Sequence, residues 1–118
     1  VLCDCIEQQI YMLGEAKYFE QILDKLRLLD KSVENWDNGN FNYNQINNNY
    51  QLKISPESKK TMDNYGNDRL FVLPDGRKEF FELHIKTGNL RFHFFPDNES
   101  KIVYIGYIGK HLRTAKNK

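Results

Sequence analysis

The chain has 118 residues, 40% hydrophobic and 28% charged, a size that forms one domain with its own core and a composition that excludes wholesale disorder. No apolar run approaches the ~20 residues of a membrane-spanning helix, no secretory signal pattern opens the chain, and Cys3 and Cys5 are too few and too close for a disulfide scaffold, so the expected setting is reducing and cytoplasmic. The sequence opens on Val1 rather than a methionine, which leaves room for residues upstream. The net charge of +1 is unevenly spread: residues 1–51 carry four bases against eight acids, a net −4, and residues 52–118 carry thirteen against eight, a net +5. Lys110, Arg113, Lys116 and Lys118 crowd the last nine residues with no acid among them. Such an end points to an anionic partner, most often nucleic acid, although a merely solvated tail has the same composition.

In chain order, residues 1–32 read as helical. Leu2, Ile6, Ile10 and Leu13 recur at one-face spacing, and Phe19, Ile22, Leu23, Leu26 and Leu29 continue the period beyond Gly14. Two helices in a hairpin, or one helix bent at Gly14, both fit; glycine in mid-helix costs ~1 kcal/mol, which favours the hairpin. Residues 33–54 hold eight asparagines between Asn35 and Asn49, with Phe41, Tyr43, Tyr50, Leu52 and Ile54 alternating with polar residues. This predicts an Asn-rich hairpin or insertion, with a linker as the other reading. Ser55-Pro56-Glu57 has the chemistry of a helix start: a capping hydroxyl, a proline at the first position and an acid in the first turn. The helix is expected to end near Tyr65-Gly66.

From Arg69 onward the period becomes two. Leu70–Leu73 reads as a strand and Pro74-Asp75-Gly76 as a turn; Phe81, Leu83 and Ile85 alternate with polar residues, and Gly88-Asn89 makes a two-residue hairpin loop. Leu90, Phe92 and Phe94 alternate on the returning strand, Pro96-Asp97-Asn98 turns again, and Ile102–Ile108 is a last strand before a basic tail. The expectation is a single α+β domain over 1–118, with N-terminal helices on one face of an antiparallel sheet.

The Gly88-Asn89 loop sets a register. Thr87 faces Leu90, Lys86 faces Arg91, His84 faces His93 and Glu82 faces Phe95, while Leu83 and Ile85 meet Phe94 and Phe92 on the core side. Closing Asp97–Ser100 as a turn sets Tyr104 beside His93. One solvent-exposed face is thus expected to gather His84, Lys86, Arg91, His93 and Tyr104, with Lys110–Arg113 leaving from the neighbouring strand. Opposed like charges weaken a sheet, so a stability-driven sequence would place other residues there, whereas a site receiving a phosphodiester wants converging cations and a proton donor. Exposed sheet faces also collect such residues for solubility alone.

Other constellations are weaker. Cys3-Asp4-Cys5 offers two thiolates where a closed zinc site needs four ligands, so no metal or other cofactor is expected. Gly106-Tyr107-Ile108-Gly109-Lys110 misses phosphate-loop spacing, and its Gly-x-x-Gly follows a β-branched run rather than lying between two helices as in a KH domain.

Residues 69–116 resemble the RelE/ParE/HigB superfamily of bacterial toxins. The resemblance lies in Phe81-Glu82-Leu83-His84-Ile85, then Leu90-Arg91-Phe92-His93-Phe94-Phe95, then Lys101-Ile102-Val103-Tyr104-Ile105-Gly106-Tyr107-Ile108-Gly109-Lys110-His111. It implies an N-terminal helical hairpin packed on a twisted antiparallel sheet, acting as a metal-independent RNase (an mRNA interferase) of a type II toxin–antitoxin system. The partners it implies are RNA, in some members on the ribosome, and a silencing antitoxin protein. By position His84 stands for the family's first-strand arginine, Arg91 for its second-strand arginine, and Lys110 and His111 for its terminal basic pair. These four are the expected catalytic residues, with Lys86, His93, Tyr104, Arg113 and Lys116 expected to bind RNA. The family usually begins with a strand ahead of its helices, and none is visible here unless it lies upstream of Val1. The other reading is a non-catalytic module of the same fold that binds a protein or nucleic acid, since the superfamily contains members without the nuclease set.

Overall fold

The structure, a computed structural model, describes residues 1–4, 6–13, 16–34, 36 and 39–115. Among these are helices α1 (Ile6–Leu13), α2 (Ala16–Ser32), α3 (Tyr43–Tyr50) and α4 (Lys59–Tyr65), with a 3-10 turn at Gly66–Arg69. The strands are β1 (Ile54–Ser55), β2 (Leu70–Val72), β3 (Lys78–Phe80), β4 (Leu83–Thr87), β5 (Leu90–Asp97) and β6 (Ile102–Lys110). Strands β1-β4-β5-β6 form an antiparallel sheet in that order, and β2-β3 a separate ribbon. The architecture is α+β, as the change of hydrophobic period predicts.

The sheet is covered on both faces. Ile6 of α1, Ile22 and Leu29 of α2 and Ile46 of α3 pack with Ile54, Ile85, Leu90, Phe92, Phe94, Val103, Ile105 and Ile108 in the larger core. On the opposite face Leu73 and Phe81, from the loops flanking β3, bury against Tyr104 and Cys3, with Phe71, Phe95 and Ile102 around them. Ahead of α1 the backbone runs parallel to β6: the Cys3 amide donates to the Ile105 carbonyl (2.9 Å) and the Ile105 amide to the Val1 carbonyl (2.8 Å). Gly14, where the helix break is expected, lies outside the described residues, as do Asn35 and Asn38.

Three expectations are corrected here. Residues 43–50 are a helix rather than a hairpin strand. Tyr43, Ile46 and Tyr50 recur at helical spacing and all pack on the larger core, and the Asn42 side chain caps the first turn by accepting from the Gln45 amide (3.1 Å). The asparagines do specific work: the Asn47 amide donates to the Ile54 carbonyl (2.8 Å) and accepts from the Ile54 amide (2.9 Å), so a side chain occupies the open edge of β1.

Helix α4 begins three residues later than expected. Ser55 pairs with His84 in the sheet and the Glu57 amide donates to the Glu82 carbonyl (3.2 Å), so strand pairing captures this segment. Ser58 then becomes the cap, accepting from the Thr61 amide (3.1 Å).

The third correction concerns the β5–β6 register. The turn closes over 98–101, with Asp97 opposite Ile102, because the Asp97 carboxylate accepts from the Glu99 amide (3.1 Å) and the Lys101 amide donates to the Asp97 carbonyl (2.8 Å). A bulge at His93/Phe94 then slips the ladder by one more residue. His93 therefore pairs with Tyr107, and Tyr104 pairs with Phe95 in the buried second core.

Candidate functional site

The β4–β5 hairpin has the register that its two-residue loop dictates: Thr87 opposite Leu90, Lys86 opposite Arg91, His84 opposite His93. Gly88 takes the left-handed backbone (φ 55°) that such a turn requires. The ladder ends at Leu83–Phe94, so the expected pairing of Glu82 with Phe95 is not made.

The face that the sequence presents as solvent-exposed is wet only near this turn. Lys86 is exposed and Arg91 half-buried, whereas His93 is 2% exposed and Tyr104 9%. Neither buried residue is available to bind RNA as expected, because alternation places a residue on a face but does not say what covers that face. Here Phe81 and the chain leading to β3 lie over it.

At this face is a polar cluster in which sequence reasoning found only the two imidazoles. The Arg69 guanidinium, 1% exposed at its side chain, is paired with the Glu57 carboxylate, itself 8% exposed. Arg69 Nε donates to Glu57 Oε2 (2.6 Å) and Nη1 to the Tyr65 carbonyl (3.1 Å). Glu57 Oε1 lies 3.5 Å from His84 Nδ1. The same Nδ1 is 3.2 Å from the Glu82 carbonyl, and His84 Nε2 is 3.3 Å from Ser55 Oγ. The His84 and His93 rings stack at 5.1 Å between centroids, and Tyr107 meets His93 edge-on at 5.7 Å.

His93 Nδ1 donates to the Phe81 carbonyl (2.9 Å). A carbonyl only accepts, so Nδ1 carries the proton and Nε2 the lone pair. Burial holds this imidazole neutral, pushing its pKa down to about 3; the carbonyl bond opposes the shift, while nearby His84, Arg69 and Arg91 reinforce it. Burial also raises the Tyr107 phenol, whose hydroxyl donates to the Lys110 carbonyl (2.6 Å). The ligand atoms of Glu57, His84 and His93 all lie within 4.8 Å of one another.

The remaining expected site residues divide. Arg91 shares the face of His84, but its Nη1 donates to the carbonyls of Gly88 and Leu90 (3.0 Å each), which fixes it at the turn. Lys110 is at the same end of the sheet, opposite Leu90. Leu90 belongs to the helix-side core, so the register assigns Lys110 to the face opposite Arg91. The expected convergence of these two cations on one face is not made. His111 lines a groove of about 460 Å³ with Glu57, Lys60 and Thr61, so Glu57 joins this groove to the imidazole pair. Arg113 is held by Asp68 through two bonds of 2.9 Å and sits over the Tyr65 ring at 4.9 Å, with its side chain still 59% exposed. Lys116 lies outside the described residues. Glu57 and Arg69 are twelve positions apart with α4 between them, and no spacing rule joins them; a lone Arg next to an apolar strand was the one available signal.

Comparison with protein-family models, with curated proteins and with solved structures gives no match.

Proposed function

We propose that the chain is a toxin-like, metal-independent endoribonuclease of the RelE kind, the mRNA interferase of a bacterial type II toxin–antitoxin pair. The observation that carries this reading is the Glu57–His84 pair, a carboxylate 3.5 Å from an imidazole nitrogen, lying on the same hairpin face as Lys86 and Arg91. A carboxylate that orients an imidazole fixes which nitrogen holds the proton, and that is the requirement for general acid–base work. Two further features support it: a backbone segment that pairs along β6 ahead of the helices, where the family has its first strand, and α1 and α2 packed on one face of the sheet, as its helical hairpin would be.

In this mechanism a ribose 2′-hydroxyl attacks the adjacent phosphorus. His84, held by Glu57, takes the hydroxyl proton as the new oxygen–phosphorus bond forms. Lys86 and Arg91 offset the charge that builds on the phosphoryl oxygens, with Lys110 adding to the positive field at the same end of the sheet. His111, across the groove from Glu57, protonates the departing 5′-oxygen as its bond to phosphorus breaks. His93 is a positioning residue that holds the His84 ring by stacking.

The test is primer extension on cellular messages after induction. Cleavage at defined positions is expected for the native chain and is lost in His84→Ala and Arg91→Ala chains that remain folded. Intact messages overturn the nuclease. The second reading, a non-catalytic module binding a protein or nucleic acid, is favoured by the commitment of Arg91 to the turn carbonyls, and it predicts intact messages whichever residue is changed.

A further inference from the structure

We propose that Glu57, His84 and His93 form a binding site for a divalent transition-metal ion of the zinc class. Their ligand atoms lie within 4.8 Å of one another, and the three residues come from three separate segments that the fold brings together: the loop before α4, β4 and β5.

The donor set selects the ion. Two imidazoles and one carboxylate suit zinc, cobalt, nickel or copper, whereas magnesium and calcium require all-oxygen shells. A tetrahedral zinc ion with bonds of about 2.0–2.1 Å brings its ligands about 3.4 Å apart, so the widest pair here closes by about 1.4 Å on binding. Glu57 Oε1 and His84 Nδ1 are already 3.5 Å apart, and His84, the most exposed of the three side chains at 14%, has the most freedom to turn toward the ion.

Each ligand already has the outer partner that metal sites use to orient their donors. The Phe81 carbonyl accepts from His93 Nδ1, which leaves the Nε2 lone pair for the ion. His84 Nδ1 now faces the Glu82 carbonyl at 3.2 Å, and on binding it exchanges that contact for the ion beside Glu57 Oε1 while its proton moves to Nε2, where Ser55 Oγ at 3.3 Å accepts it. Arg69 holds Glu57 Oε2, so Oε1 is the oxygen presented. Three protein ligands leave a fourth position for water or an exogenous donor. This site stands whether or not the chain cleaves RNA; if it does, a bound ion occupies the His84 lone pair and suppresses cleavage.

The experiment is titration of the full chain, stripped with chelator and free of RNA, by calorimetry with Zn²⁺ and by visible absorption with Co²⁺. One ion per chain is expected, with the ligand-field bands of nitrogen and oxygen donors and no response to Mg²⁺. His84→Gln and His93→Gln are each expected to weaken binding at least tenfold. His93→Gln alters a buried site, so His84→Gln, with folding verified by circular dichroism, is the deciding variant. Absence of binding overturns the proposal. So does binding that survives His84→Gln, or an intense thiolate-to-cobalt charge-transfer band, which would assign the ion to the cysteines.

Discussion

The Glu57 carboxylate is shared between two partners: Oε2 takes the Arg69 guanidinium and Oε1 faces His84. With the Arg69 side chain 1% exposed and that of Glu57 8%, this ion pair is largely withdrawn from water, with Glu57 at the edge of the His111 groove. It links the 3-10 turn after α4 to the loop before it, and it sets the orientation of the oxygen nearest the imidazoles.

Removing one member of such a pair leaves a buried charge without its partner, which costs about 3–5 kcal/mol. Arg69→Met is therefore expected to lower unfolding stability by that amount in urea titration, and to disturb the His84 ring as Glu57 is released. The double variant Arg69→Met, Glu57→Leu removes both charges and is expected to recover most of the loss. A double variant as unstable as the single one would show that the damage comes from packing rather than from the orphaned carboxylate.

His93 predicts a pH dependence with a definite sign. Its folded pKa of about 3 lies below the ordinary histidine value of 6.5, so below 6.5 the unfolded chain binds a proton that the folded chain refuses. Stability is full above about pH 6.5 and falls as the pH drops toward 3, with a slope of up to about 1.4 kcal/mol per pH unit. The lowered carboxylates Asp68, Asp75 and Asp97 act in the same direction, but their protonation begins at lower pH. The interval from pH 6.5 to about 5 therefore isolates the histidine. Denaturant unfolding across it is expected to show a flatter profile for His93→Gln than for the native chain.

Gly106 sits at the β6 bulge with no room for a side chain. A Cβ there would lie 2.7 Å from the Phe81 ring and 3.0 Å from that of Phe71. Both rings are packed in the second core, so Gly106→Ala is expected to cost about 1–3 kcal/mol. At Gly109 the nearest atom is the Tyr107 hydroxyl at 2.8 Å, the tip of a half-buried side chain whose yielding costs its bond to the Lys110 carbonyl but no core ring its place. Gly109→Ala is expected to be the milder substitution by thermal melting.

If RNA binds at the hairpin turn, its affinity falls with salt as counterions are released. Lys86→Ala is expected to reduce the slope of log K against log salt by about 0.7, the share of one phosphate contact on a single strand. Arg113→Ala is expected to reduce the slope less, since Nε and Nη2 of that guanidinium are engaged by Asp68. Fluorescence anisotropy with a short RNA at several salt concentrations checks both, and a salt-insensitive complex would point to a protein partner instead.

Much of the frame was legible from residue order. Leu83 and Ile85 alternate against Phe92 and Phe94 around a glycine-containing two-residue loop, and these local rules dictate the pairing of Lys86 with Arg91 and of His84 with His93. The helix at 43–50 was hidden because Phe41 and Tyr43 imitate a strand, although Tyr43, Ile46 and Tyr50 already carried the helical period. The β5–β6 register was not legible, because it depends on an Asp97-centred turn and on a bulge at His93/Phe94.

Residue order by itself determined the α+β class, the β4–β5 register, and the placement of Lys86 and Arg91 beside its turn. Only the tertiary structure decided that His93 is buried under Phe81, that Tyr107 rather than Tyr104 lies beside it, and that Glu57 and Arg69 complete the imidazole cluster. The physical reason is range. Periodicity and turn chemistry act between residues a few positions apart, whereas burial of a sheet face depends on which distant segment packs onto it.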